Sequence, residues 1–320
     1  MKVLLLGGGG YMGTRLASFL KEIGMSITVV DLFWFGDFVE KGIKTVHEDV
    51  SEITVDAYTS FDAVVYLAGL SNDPMAEFSP RLNYIHNAAY PMLCATNARD
   101  AGVKRFVFAS SCSIYGRGHM CGEYDSVKTD YPYGISKWQA EQGLGLLETD
   151  DFKLIFMRKG TLGGHSDRMR FDIAVNRMFK TVMVNNKITV YDPNAFRPLL
   201  DINDALRAYA SAITAPPHVH GPYNIVSENV TILDMAMRIK QYMEQEKMAE
   251  SIHINNLEQK EVRDYSANWN NAMNDLGFTG NTALESTIDE LWANRDRYDY
   301  ADPNTVNIEV FTKIQDNLCE

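Results

Sequence analysis

Basic residues are the minority charge in this 320-residue chain: 30 lysines and arginines face 42 aspartates and glutamates, for a formal net charge of −12. Nucleic acid is bound through basic patches that displace counterions from phosphate, so this balance argues against a DNA or RNA partner. Cysteine is scarcer still. The four cysteines, Cys94, Cys112, Cys121 and Cys319, show none of the paired spacing that metal sites use, and His86, His119 and His165 are scattered without helical ligand spacing, so no metal is expected. Cys112 reads as a small packing residue rather than a nucleophile. Long apolar spans, low-complexity segments and internal repeats are missing, and Met1 leads straight into a strand pattern. The expectation is a reduced, cytoplasmic protein with no membrane partner. Any phosphate must then be held locally, and Arg168, Arg170, Arg177 and Arg197 are placed to do it, although at least half of such a group is expected to be ordinary surface arginine.

Glycine, by contrast, is concentrated where it matters. The run Lys2 to Leu6 is apolar after its first residue, glycines follow at 7, 8, 9, 10 and 13, and Leu16, Ala17, Leu20 and Ile23 then recur with helical spacing. This reads as strand, tight turn and helix, in which Gly7, Gly10 and Gly13 let a pyrophosphate approach the main chain at a helix N-terminus. A second strand, Ser26 to Val30, ends at Asp31, about twenty residues on. A carboxylate there accepts hydrogen bonds from an adenosine ribose and repels a 2′-phosphate, which selects NAD over NADP. Further apolar runs, Phe61 to Gly69 and Val103 to Ser110, predict a parallel sheet covered on both faces, with Gly7, Asp31, Gly69 and Ser111 at the carboxyl ends of its strands. Tyr133 and Lys137 stand four apart and share one helix face, so the ammonium is expected to acidify the phenol and make it a proton acceptor. A serine-rich segment, Ser110-Ser111-Cys112-Ser113, precedes them.

With these motifs, together with Asp49-Val50, Leu67-Ala68-Gly69, Tyr84 to Asn87 and Arg197-Pro198, the chain resembles the extended short-chain dehydrogenase/reductases, and among them the NAD-dependent sugar-nucleotide epimerase/dehydratase family. Trp34-Phe35-Gly36, Ser71-Asn72-Asp73-Pro74, Arg168 to Asp172 and Arg263-Asp264-Tyr265 look like a bacterial branch acting on nucleotide-activated hexoses or heptoses for surface polysaccharides. The resemblance implies an α/β Rossmann fold, a doubly wound parallel sheet with a smaller α/β C-terminal substrate domain. It makes Tyr133 the acid or base at a sugar hydroxyl, with Ser111 hydrogen-bonded to the same hydroxyl and Lys137 on the nicotinamide ribose. Gly7, Gly10, Tyr11, Met12 and Gly13 would cradle the pyrophosphate and Asp31 the adenosine ribose. Asp49 and Val50 would meet the adenine, and Leu67, Ala68, Gly69 and Asn87 the nicotinamide half. The substrate, a nucleoside diphosphate sugar, would meet Ser71, Asn72, Ser111, Thr161, Arg170, Asn176, Arg197 and Arg263.

Two departures from the family pattern narrow the chemistry. Ser111-Cys112-Ser113 stands where the family's 4,6-dehydratases carry Thr-Asp-Glu, which removes the acid and base that eliminate water. Lys159-Gly160-Thr161 replaces the Tyr-Phe-Asn of hexose 4-epimerases, and with it the asparagine contact to the nucleotide. Epimerisation through a 4-keto sugar and net 4-dehydrogenation or ketoreduction both remain, beside a non-catalytic NAD-binding regulator on the same fold. The expected division is residues 1–164 for NAD, with 197–228 returning to that domain, and 165–320 for the sugar nucleotide. Amphipathic helices are expected over Phe171 to Val184 and Thr231 to Met248, the latter with Ile232, Ala236, Ile239 and Met243 as a core stripe. A homodimer is expected through helices near Asn83 to Asp100 and Tyr133 to Leu147, as in the resembled family.

Overall fold

A computed structural model describes residues 1–247, 250–257 and 263–319; Met248, the expected end of one helix, lies outside them, as do the side chains of 317–319, Cys319 among them. The chain opens as β1 (Lys2–Leu6), α1 (Tyr11–Glu22), β2 (Ser26–Asp31), β3 (Lys44–His47), α2 (Val55–Tyr58) and β4 (Ala63–Tyr66). It continues through α3 (Asp73–Phe78), α4 (Pro80–Tyr84), α5 (Tyr90–Asp100), β5 (Arg105–Phe108), α6 (Pro132–Gly145) and β6 (Lys153–Lys159). Then come β7 (Thr161–Gly163), α7 (Ala174–Asn185), β8 (Lys187–Tyr191), β9 (Phe196–Asp201), α8 (Ile202–Thr214) and β10 (Gly221–Ile225). The last elements are β11 (Glu228–Thr231), α9 (Ile232–Tyr242), β12 (His253–Leu257), α10 (Asn270–Leu276), α11 (Leu284–Ala293) and α12 (Asn307–Cys319).

Seven strands form one all-parallel sheet in the order β10-β6-β5-β4-β1-β2-β3. Its strands are apolar throughout because both faces are covered. On β1, Val3 and Leu5 face Leu16, Leu20 and Tyr209 of α1 and α8, while Leu4 and Leu6 face Cys94, Ala98 and Leu144 of α5 and α6. Alternation along each strand thus feeds two cores, and this is the doubly wound Rossmann architecture. The small sheets are β11-β9-β7 and β12-β8. A third core lies among α7, β8, α9 and α11, where Ala236, Ile239 and Met243 of the predicted stripe are fully buried. Each large side chain of that stripe stabilises by roughly 1.5–3 kcal/mol.

The later crossings differ in detail from the sequence reading. α8 packs on α1 and β10 completes the large sheet, whereas β9 and β11, at the ends of the 197–228 stretch, pair in the three-stranded sheet. Between α4 and α5 the helix widens into a π turn, Ile85–Ala89. Pro91, one residue into α5, has no N–H to give to the carbonyl of Asn87, and the wider turn accommodates that loss. One buried tie fixes β6 to α6: Arg158 donates from Nε and Nη2 to the Glu141 carboxylate, and both side chains are 2% exposed. Tyr115 and Ser110 complete that network.

Candidate active site

The carboxyl ends of β1, β4, β5 and β6 open into a cavity of about 550 Å³, roofed by the 165–191 segment, β9 and α12. Its floor begins with the glycine turn. Gly7 has φ +80°, and a Cβ there would collide with Ala68 at 2.3 Å, so only glycine lets β1 run this close to the turn after β4. A Cβ on Gly13 would meet the Gly8 backbone at 2.7 Å, which lets α1 seat directly on the turn. Gly10, the helix N-cap, lines the cavity, and the space beside it is open: a Cβ would meet only the Gly7 carbonyl, at 3.7 Å. No side chain caps this helix start and no acid stands in its first turn, so the amides at Tyr11, Met12 and Gly13 face the cavity as an anion cradle. These residues fit a dinucleotide pyrophosphate. The Tyr11 hydroxyl itself is spent elsewhere, donating to the Gly164 carbonyl at 2.7 Å.

Asp31 closes the far side of the turn, accepting from the amides of Gly9 and Phe33 at 2.8 Å each. Burial pushes its carboxyl up, and the two amides and Arg168 oppose that. Asp49 accepts from Ser51, and Val50 is buried in the core, so an adenine at the end of β3 would meet Val50 through its backbone. Asp31, Asp49, Val50 and Ala68 lie outside the cavity wall, whereas Leu67 and Gly69 are part of it.

Ser111, Ser113 and Tyr133 line the middle of the cavity. Ser111 caps a 3-10 turn, Cys112–Tyr115, accepting from the Ser113 amide at 3.2 Å, and the two serine hydroxyls are 2.8 Å apart. Lys137, one helical turn past Tyr133, is buried with its ammonium 5.9 Å from the Tyr133 ring and 4.9 Å from that of Phe108. The expected acidification of the phenol is corrected here. Burial raises Tyr133 well above its ordinary range, Asp73 adds to the rise, and Arg170 and Ser111 oppose it; Lys137 is itself pushed down to about 7 by burial and by Lys159. A half-neutral lysine beside a desolvated phenol cannot dominate its titration.

The substrate end is built from cations. Arg168, Arg170, Arg177 and Arg197 all line the cavity; the first two are buried, Arg197 is half-buried and Arg177 is exposed. Arg170 is held by Asp172 at 2.8 and 3.0 Å and by Ser71 at 3.1 Å. Arg168 stacks on Phe35 at 3.7 Å and donates to Asn307. Arg263 pairs with Asp73 and stacks over Tyr131, while Arg197 lies over Tyr265 and donates to the Arg263 carbonyl at 2.6 Å. Thr161 is also in the wall.

Two assignments are corrected by these contacts. Asn176 is fully buried and spends its amide on Gly164, Tyr11 and the Arg170 carbonyl, so it positions the arginine rather than touching substrate. Asn87 is equally buried; it donates to Leu70 and Asn83, pinning the Gly69 loop from behind the cavity. Asn72 reaches the cavity, but its side chain caps α3 and donates to Asp172. Sequence reasoning also missed participants. Ser113 belongs to the serine run 110–113 and Lys159 to the Lys159-Gly160-Thr161 departure, while Asn307 carries no signal because its partners are over a hundred residues away.

Fold and site together define a class: a dinucleotide-binding α/β enzyme of the short-chain type, with serine, tyrosine and lysine beside the cofactor crevice. The profile "Epimerase: NAD dependent epimerase/dehydratase family" matches residues 3–226, and the chain belongs to that family, whose cofactor is NAD. It is 28% identical to UDP-glucose 4-epimerase 3 of Oryza sativa subsp. japonica over 188 residues, 51% of this chain and 50% of that protein. A UDP-glucose 4-epimerase of Corynebacterium glutamicum is 24% identical over 234 residues, 67% of this chain and 71% of the other. The chain thus spans about half the length of some curated relatives and more of others. In fold it resembles UDP-glucuronic acid 4-epimerase from Bacillus cereus in complex with UDP-glucuronic acid and NAD, with a TM-score of 0.81, 18% identity, and coverage of 93% of this chain and 100% of that one.

Among the described residues no group of three or more histidines, cysteines or acids is placed to hold a metal, and no helix is long and apolar enough to cross a membrane.

Proposed function

We propose that this chain is an NAD-dependent epimerase that oxidises a nucleoside diphosphate hexose or heptose at ring C4 and reduces the 4-keto sugar on its other face. The observation that carries the reading is one cavity with an uncapped glycine-lined helix start at one end, Ser111 and Tyr133 in the middle and Arg197 and Arg263 at the other. Ser111 would orient the C4 hydroxyl, and Tyr133 would take its proton and give it back. Lys137 beneath the phenol would hold the nicotinamide ribose and, when charged, favour the phenolate. NAD, when bound, supplies the hydride acceptor and donor. Arg197 and Arg263 would anchor the diphosphate, which leaves the ring free to present either face. The same reading places the chain in the cytoplasm, in surface-polysaccharide synthesis, as a homodimer divided into an NAD-binding part, 1–164, and a sugar-nucleotide part, 165–320.

The test is a panel of UDP-, GDP-, dTDP- and CDP-sugars incubated with enzyme and NAD, followed by NMR of the sugar ring and absorbance at the NADH band. Inversion at C4 without net NADH is expected. Accumulated NADH with a keto sugar would instead favour a 4-dehydrogenase, and no change in any sugar would remove the enzymatic reading in favour of an NAD-binding regulator.

A further inference from the structure

Lys159 stands at the sheet end of the cavity, and the mechanism above gives it no task. Its backbone forms a parallel bridge with Ser111, and paired residues on neighbouring parallel strands project from the same face. Lys159 and Ser111 therefore enter the cavity side by side, about 4.8 Å apart along the sheet. The nearest aromatic ring to its ammonium is Tyr209, at 5.9 Å, and among the described residues no carboxylate or hydrogen-bond acceptor pairs with it. Every other cation of the cavity belongs to the overlying layer.

A neutral sugar packed against Lys159 would leave that buried ammonium without a partner, which costs free energy.

Resting on the proposed 4-epimerase reading, we infer that Lys159 is a specificity-determining residue that meets a carboxylate on the sugar, so that the preferred substrates are nucleoside diphosphate uronic acids. A carboxylate on C5 is borne one ring atom from C4. With the C4 hydroxyl on Ser111, a group on C5 falls within the one-strand spacing that separates Ser111 from Lys159, and Thr161 lines the same wall. Burial and Arg170 push the Lys159 ammonium down to about 8 before ligand arrives, and a carboxylate beside it would restore its charge.

The experiment compares UDP-glucuronic acid with UDP-glucose on the wild-type enzyme, then on Lys159→Met and Lys159→Arg, using NMR of the ring to follow C4. The wild type should favour the uronic acid in kcat/KM by roughly 100-fold, a ratio that hydrogen-bonded or charged recognition of one group can supply. Lys159→Met should erase most of that preference through KM, and Lys159→Arg should retain it. For the wild type, KM for the uronic acid should rise above pH about 8, where the free enzyme loses the Lys159 proton, while KM for UDP-glucose should lack that rise. A wild type that prefers the neutral sugar overturns the inference without any variant, as does a Lys159→Met protein of native NAD affinity with an unchanged ratio. Turnover of UDP-glucose alone sinks this inference and spares the epimerase; turnover of neither, and of no other sugar in the wider panel, sinks the epimerase.

Discussion

A phenol that burial keeps protonated is poised as a donor, and it becomes an acceptor only when a cation is brought to bear on it. Tyr133 is in that position, with Lys137 beneath it at about 7. Tyr133→Phe should lower C4 turnover by roughly 10²–10⁴-fold and leave NAD affinity nearly unchanged, since only the proton carrier is lost. Undiminished turnover would remove Tyr133 from the mechanism. The lowered lysines also set a pH dependence of stability. Unfolded, a lysine titrates near ~10.4, so between about 7 and that value the unfolded chain binds more protons than the folded one, and stability rises with pH. Lys159 adds to the rise from about 8. Thermal denaturation of the cofactor-free protein should therefore show Tm climbing from pH 7 to pH 9, with a limiting slope of about 1.4 kcal/mol per pH unit per lysine. Lys137→Met should flatten the curve; a wild-type Tm that is level or falling over that interval contradicts the lowered lysines. Ser111, Tyr133, Lys137 and the glycines could be named from sequence because their chemistry depends on short spacings. Asn176 and Asn87 were misread because the sequence shows an amide but not the carbonyls that consume it, and Asn307 could not be found because only folding brings it to Ser71 and Arg168.

At the scale of elements, β6 and α6 deliver Lys159 and Tyr133 to the same opening, and the Arg158 to Glu141 pair sets their relative position. Removing one partner strands the other in the core. Arg158→Met should cost about 3–5 kcal/mol by urea denaturation, and Arg158→Met with Glu141→Leu should recover a large part of it, because the loss reflects an unpaired buried carboxylate. A single-variant loss below about 1 kcal/mol would show the pair to be solvated. The strands of the large sheet were legible because burial on both faces leaves runs such as Leu4 to Leu6 and Val64 to Tyr66 with no polar break. The pairing of β9 with β7 and β11 was not, since three to six residues of mixed polarity do not reveal which sheet they join.

The whole molecule is acidic outside and cationic within its cavity, a division that net charge alone conceals. Its proposed dimer face is the outer surface of α5 and α6, where Leu93 is 41% and Ile135 38% exposed. Leu93→Asp combined with Ile135→Glu should halve the mass seen by light scattering at micromolar concentration, from two chains to one. A wild type that already scatters as one chain refutes the dimer. The cavity wall draws on residues from Gly7 to Asn307, and Asn307 fixes Ser71 and Arg168 from the start of α12. Proteins are made from the N-terminus, so the phosphate cradle and the first five strands leave the ribosome while β10 and α12 are still untranslated. In chain order the phosphate cradle therefore precedes nearly all of the arginine wall, and synthesis lays down one end of the cavity long before the other.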